Sequence, residues 1–186
     1  MSLKQMPIER AFTWLESGPV TLVTTNDGEN DNVMTISWLM PRDFEPHIAI
    51  STGSWNESFE TILTTRECCV CVPPADLLGK VVAMGVVHGS QVDKFEGFKL
   101  AKAQAEDVAA PLVEDCCACI ECVLEDYVAE HGLLILRGVR LWENPDLAGE
   151  RLAHANGDGT FFLDGELVRK HRATMRKWVP EGCERL

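Results

Sequence analysis

Positive charge is scarce in this sequence: 17 Lys and Arg stand against 29 Asp and Glu, a formal net charge of −12 over 186 residues. Such a field repels polyanions, which argues against nucleic acid and anionic membrane surfaces as partners. An anionic ligand would have to be held by local contacts instead. Long apolar runs are also missing, none approaching the roughly 20 residues of a membrane helix. The opening "MSLKQMPIERAF" has no signal-peptide core, so a cytoplasmic location is expected. No G-x-G-x-x-G, G-x-x-x-x-G-K-[ST], H-E-x-x-H or G-x-S-x-G occurs. The five histidines are scattered, and only His131 has a carboxylate neighbour, Glu130. With acid-base and nucleophile candidates so poor, any reactive centre is expected to arrive with a cofactor.

What is present reads as one domain over 1–186, with a core at about 10–165 and a basic helix or tail at 166–186. "MPIERAFTWLESGP" has the spacing of a first helix stopped by Gly18. Strands are expected in "VTLVTT", "VMTISWLM", "HIAIS", "ECCVCVP", "CCACIECVLEDYV" and "GLLILRGVRLWEN", and a helix in "ADLLGKVVAMGVV" with Asp76 as its cap. "HGSQVDKFEGF" reads as a loop. The last two strands are joined only by "AEHG", a hairpin connection that disfavours a doubly wound parallel sheet. A mainly antiparallel barrel with short helices fits better.

Eight cysteines raise the question of disulfides or metal. A reducing compartment disfavours disulfides. In "CCACIEC" strand alternation sends Cys119 and Cys122 to opposite faces, which suits buried small apolar side chains better than a zinc site. The cations Arg169, Lys170, Arg172, Arg176 and Lys177 read as a solvated helix face or a contact for an acidic surface.

The stretch "NVMTISWLMP" poses a sharper question. Alternation puts Met34, Ile36 and Trp38 on one strand face and Val33, Thr35 and Ser37 on the other, so two hydroxyls share a face with a valine. The neutral donors of Thr35, Ser37, Ser51, Thr52 and Ser54, with the start of a helix after the capping-box pattern Ser54-x-x-Glu57, could cradle a phosphate; simple helix capping is the competing reading. Asn56 and Ser58 lie in the same first turn, and His88, Gly89, Ser90 and Lys94 form a second donor set. Trp38 and Trp55 could wall an aromatic ring.

Taken in order, "NVMTISW", "STGSWNESFETI", "CVCVPP", "HGSQVDKF", "APLVEDCCACIEC" and "GDGTFFLDG" resemble the flavin reductase-like, flavoredoxin-type family of FMN-binding split-barrel proteins. The resemblance implies a Greek-key-like antiparallel split β-barrel, a homodimer and one FMN per subunit. It implies that Asn32, Met34, Thr35, Ile36, Ser37 and Trp38 lie along the flavin ring, with Thr35 and Ser37 facing it. It implies further that Ser51, Thr52, Gly53, Ser54, Asn56 and Ser58 hold ribityl and phosphate, and that His88, Gly89, Ser90 and Lys94 close over the phosphate end. The chain departs from the family pattern at His88-Gly89, where Ser-Gly is common, at Cys71, where Asn is common, and in having no Arg near Asn56. The implied activity is flavin reduction by NADH or NADPH, or electron transfer to a redox partner protein or small acceptor. A non-catalytic FMN carrier or sensor is the alternative.

Overall fold

The computed structural model describes residues 2–183. The chain opens with β1 (Lys4–Met6) and a 3-10 turn leading into α1 (Ala11–Leu15), which buries Ala11, Phe12, Trp14 and Leu15. The expected first helix is thus shorter by its first turn, because Lys4–Met6 is captured as a strand against Leu141–Glu143. Next come β2 (Thr21–Asn26), β3 (Asp31–Ile36), β4 (Leu39–Pro41) and β5 (His47–Ser51). The expected continuous strand 33–40 is therefore two strands, since β3 pairs with β2 whereas β4 turns to pair with β5. Helix α2 (Glu57–Thr65) and β6 (Glu67–Val72) follow, then α3 (Leu78–Gly85) and a single-turn α4 (Lys94–Gly97) where a loop was expected.

Asp76 is not the cap of α3; it lies inside a 3-10 turn, Ala75–Leu77, that runs directly into the helix. Two short strands, β7 (Lys102–Ala103) and β8 (Leu112–Val113), precede the long hairpin of β9 (Ala118–Val128) and β10 (Leu133–Glu143). β11 (Ala153–Ala155), β12 (Phe161–Leu163), the single turn α5 (Arg172–Met175) and a 3-10 turn (Arg176–Trp178) follow, so the expected basic helix at 166–186 is confined to 172–178, with 184–186 outside the described residues. No helix among the described residues is long and apolar enough to cross a membrane.

One antiparallel sheet runs β3-β2-β6-β9-β10-β5-β4, with β1 also on β10. Strand β10 can serve both β5, through Leu133–Arg137, and β1, through Leu141–Glu143, because it is irregular between Gly138 and Arg140. At that bend a Cβ on Gly138 would stand 3.0 Å from Ile120 and 3.3 Å from Pro46, so a larger residue would require these side chains to shift by a few tenths of an ångström. The result is mainly antiparallel β structure: a sheet curled into a half-barrel, with short helices.

Both faces of the central strands are covered, which is why β2 and β6 read as nearly continuous apolar runs. Val23, Val70, Ile120, Leu136 and Cys122 pack inside the curl with α1 and α2. Leu22, Cys69, Cys71, Cys119 and Trp142 pack on the outer face with Val81, Met84 and the segment 105–113. Cys119 and Cys122 therefore do diverge, while Cys117, which precedes β9, sides with Cys122. All eight cysteines are free and buried. Burial pushes the thiols of Cys69, Cys116, Cys119 and Cys122 well above the ordinary value. Burial raises Cys71 too, but S–H donation from Cys116 and Cys119 outweighs it and draws Cys71 down to about 5.

Glu121, fully buried on β9, ties the outer layer down. Its carboxylate accepts from the backbone N–H groups of Glu106, Asp107 and Val108, and from Trp142 Nε1 at 2.7 Å. Glu121→Ala leaves those donors unpaired in the interior and is expected to lower unfolding stability by on the order of 3 kcal/mol in urea titration, with Glu121→Gln falling between.

Candidate functional site

Strand β3 is the edge of the sheet, paired with β2 on one side only. Every second residue of an edge strand turns its N–H and C=O outward. Val33 is one: its amide donates to Asn32 Oδ1 at 2.8 Å, and its carbonyl accepts from Lys94 Nζ at 2.8 Å. By the same alternation Thr35 is the next, and Thr35 is also among the residues that line a cavity.

That cavity, of 140 Å³, is lined by Asn32, Met34, Thr35, Trp55, Asn56, Glu57, Met84, Gly85, Val87, His88 and Lys94. Three elements build it. β3 supplies the floor. The turn before α2 supplies Trp55 and Asn56, and the end of α3 with the loop into α4 supplies the opposite wall. Asn56 is the true cap of α2, its side chain accepting from the Ser58 amide at 3.0 Å, so the helix begins at Glu57 and not after Ser54.

Asn32 draws the three walls together. Its Nδ2 donates to Ser58 Oγ at 3.3 Å, and its side chain lies so close to Gly89 that a Cβ there would stand 2.6 Å from Asn32 Cγ. Beyond this junction opens a second cavity of 610 Å³, sharing Asn32 and Glu57 with the first and lined also by Asp27, Asp31, Ser90, Asp93 and Lys102.

Charge in the first cavity resides on Glu57 and Lys94. Ser90 donates to the Glu57 carboxylate from Oγ at 2.5 Å and from its amide at 3.2 Å, and His88 Nδ1 stands 3.6 Å away. The Ser90 hydroxyl, followed by the amides of Ser90 and Gly89 and the neighbouring His88, holds this carboxyl below its ordinary value despite partial burial. Lys94 is buried, which pushes its ammonium below the ordinary lysine value, while the Glu57 charge pulls the other way. Asp93, next to Lys94 in the chain, caps α4, accepting from the Glu96 amide at 3.1 Å.

Of the residues singled out from sequence, Asn32, Met34, Thr35, Asn56, His88 and Lys94 share the first cavity, and Gly89 and Ser90 border the second. Ser58 lies behind Asn32, wholly buried. The Thr35 hydroxyl donates to the Val81 carbonyl of α3 at 2.6 Å, which answers what that hydroxyl meets. Ile36 belongs to the inner core, and Ser37 and Trp38 lie past the end of β3, outside both linings. Ser51, Thr52, Gly53 and Ser54 also lie outside them; the amides of Ser51 and Thr52 are spent on Trp38 O and Gly132 O, and Gly53 sits beneath the Trp55 ring. Sequence reasoning missed Glu57, Met84, Gly85 and Val87. Glu57 was visible, but as a capping-box partner rather than a wall.

Comparison with known proteins bears on this geometry. Residues 15–160 match the model of the flavin reductase like domain. The chain belongs to the flavin reductase-like domain family. Among relatives of this family member, an uncharacterized protein of Archaeoglobus fulgidus is 29% identical over 149 residues, covering 78% of this chain and 76% of that protein. The uncharacterized protein YddH of Escherichia coli is 28% identical over 185 residues, covering 88% of this chain and 96% of YddH. The split-barrel fold of this chain is shared with the FMN-binding domain of a flavin reductases-like enzyme from Shewanella baltica, at a TM-score of 0.82, 20% identity and coverage of 89% and 96% of the two chains. Flavoredoxin of Desulfovibrio vulgaris superposes with a TM-score of 0.75 at 21% identity, covering 82% of this chain and 90% of that one.

A direct test of the junction is Gly89→Ala. The added methyl must displace Asn32 from Ser58, with an expected loss of about 1–3 kcal/mol in thermal or urea unfolding. In an Asn32→Ala background the same substitution should cost nothing further; an undiminished cost there would show that Asn32 is not what Gly89 makes room for.

Proposed function

We propose that the chain is an FMN-binding flavoprotein reduced by NADH or NADPH, working as a flavin reductase or as a flavoredoxin-type electron carrier to a protein or small acceptor. The observation that carries this reading is a cavity against the edge strand, lined by Thr35 and the buried Lys94, in a chain of this family. FMN supplies hydride and electron transfer when bound. The chain's own residues bind and orient.

The residues fit such a group in kind. Neutral peptide groups at the free edge of β3 suit the hydrogen-bonding edge of a flavin ring, and Met34, Met84 and Trp55 offer apolar contact. Lys94 offers the one ammonium in that lining, already desolvated, so an anion there gains more from it than from a solvated lysine. Orientation of the ring toward a nicotinamide is what hydride transfer asks of a protein, and that needs no acid or base in the wall.

At 140 Å³ the first cavity is below the few hundred cubic ångströms of a typical cofactor site. Nearby elements leave Trp38, Met40, Trp55 and Val86 strongly exposed, with Trp55 at 69%. A homodimer in which a second copy covers the exposed part of the ligand accounts for both features.

The protein as purified, or after incubation with FMN and gel filtration, is expected to be yellow. Lys94→Met, which keeps the buried stem but removes the charge, should weaken FMN binding by about tenfold or more in a fluorescence titration; unchanged affinity removes Lys94 from the site. Mixing the holo-protein anaerobically with NADH or NADPH should bleach the flavin absorbance. Persistent colour with both nucleotides would favour a non-catalytic carrier or sensor.

A further inference from the structure

An anion is already built into the donor end of the site. Ser90 gives both its hydroxyl and its amide to Glu57, and His88 faces the same carboxylate at 3.6 Å. Other donors nearby are partly engaged: Ser58 N by Asn56, one N–H of Asn32 Nδ2 by Ser58 Oγ, and one of the three N–H groups of Lys94 by Val33 O. A dianionic phosphate entering here must either expel Glu57 from Ser90 or sit beside a fixed negative charge. In the adjoining cavity it would also meet Asp27, Asp31 and Asp93, with Lys102 already paired to Asp31. A neutral hydroxyl faces no such conflict. It can donate to the carboxylate while accepting from Lys94, whose ammonium keeps two N–H groups beyond the one given to Val33.

We propose that Glu57 is a specificity-determining residue: its carboxylate, standing among the donors of Ser90 and His88, offsets the attraction of Lys94 for phosphate, so that the site selects a flavin by its ring and ribityl hydroxyls rather than by its phosphate. The selectivity arises from position. Glu57 is the first residue of a nine-residue helix, held there by the Asn56 cap, and its carboxylate is anchored across to the opposite loop. It cannot swing away without giving up two hydrogen bonds. This inference rests on the reading that the cavity takes a flavin.

Titration of riboflavin and FMN into the wild-type chain and Glu57→Gln, followed by flavin fluorescence, separates the possibilities. Wild-type protein is expected to bind the two flavins within about threefold of each other, because the like charge of Glu57 offsets the opposite charge of Lys94 on the phosphate. Glu57→Gln is expected to raise the affinity for FMN relative to riboflavin by about tenfold. Glu57→Ala should act in the same direction, and the melting curves of both variants verify that they are folded. A wild-type preference for FMN of a hundredfold, or a Glu57→Gln effect that is absent or equal for both ligands, overturns the inference while leaving flavin binding intact. If neither flavin binds wild type or variant, the flavin reading itself fails and the inference falls with it.

Discussion

Three segments distant in sequence must close on one another for this site to exist, and Asn32 is where they do. The side chain leaves the sheet edge at β3, bonds Ser58 in the first turn of α2, and packs directly under the backbone of Gly89 in the loop after α3. A larger residue at 89 or an apolar one at 32 would open the junction. Sequence separation makes the contact costly to form, since two loops must be closed before it contributes anything. What recovers the loss is that each partner is already half-placed: Ser58 by the Asn56 cap, the 88–90 loop by Glu57. The cavity is therefore a consequence of capping chemistry as much as of the sheet.

Electrostatics explain how so acidic a chain could hold an anionic ligand at all. At long range the net charge of −12 repels one, but beyond roughly a Debye length of 8–10 Å that repulsion is screened. Inside the cavity the balance is set by two groups, an ammonium driven into the protein and a carboxylate facing it. Desolvation makes Lys94 an unhappy cation whose charge is best satisfied by a nearby anion, and Glu57 already meets part of that need. A ligand must improve on an arrangement that is complete without it.

Much of the scaffold was legible. His47–Ser51 coincides with the strand expected there, and the hairpin of β9 and β10 follows from two long β-rich runs with only "AEHG" between them. Legibility failed where tertiary pairing outvoted local pattern. The period-2 alternation continues through Trp38, yet the strand stops at Ile36, because Leu39 and Met40 find partners on β5 rather than β2. Serine and asparagine are both good caps, and only the fold decided for Asn56 over Ser54. The hydroxyls of 35 and 37 looked equivalent in the sequence. One is claimed by the Val81 carbonyl because α3 crosses over it, a contact 46 residues away that no local rule contains. In the sequence Lys94 is simply one donor of a loop, and its burial, with its ammonium on the Val33 carbonyl 61 residues away, is likewise beyond any local rule.

An edge strand is normally the least rigid part of a sheet, which makes β3 an improbable floor for a binding site. The outer layer removes that weakness. Glu121 gathers three backbone amides of the 106–108 segment, Thr24 donates to Pro111 O at 2.6 Å, and the thiol of Cys69 donates to Ala110 O at 3.3 Å, so this segment is fastened to β9, β2 and β6 in turn. Cysteine and threonine suit these positions because they are small enough to let a covering chain approach the sheet and still offer it a donor. With β2 clamped on its outer face, β3 inherits a fixed neighbour, and Val81 and Met84 of α3 pack into the same outer layer as Val33. The thiols and the buried carboxylate thus act on the site without touching it. They turn a free edge, whose unpaired peptide groups a ligand can use, into one held firmly enough for a ligand to read.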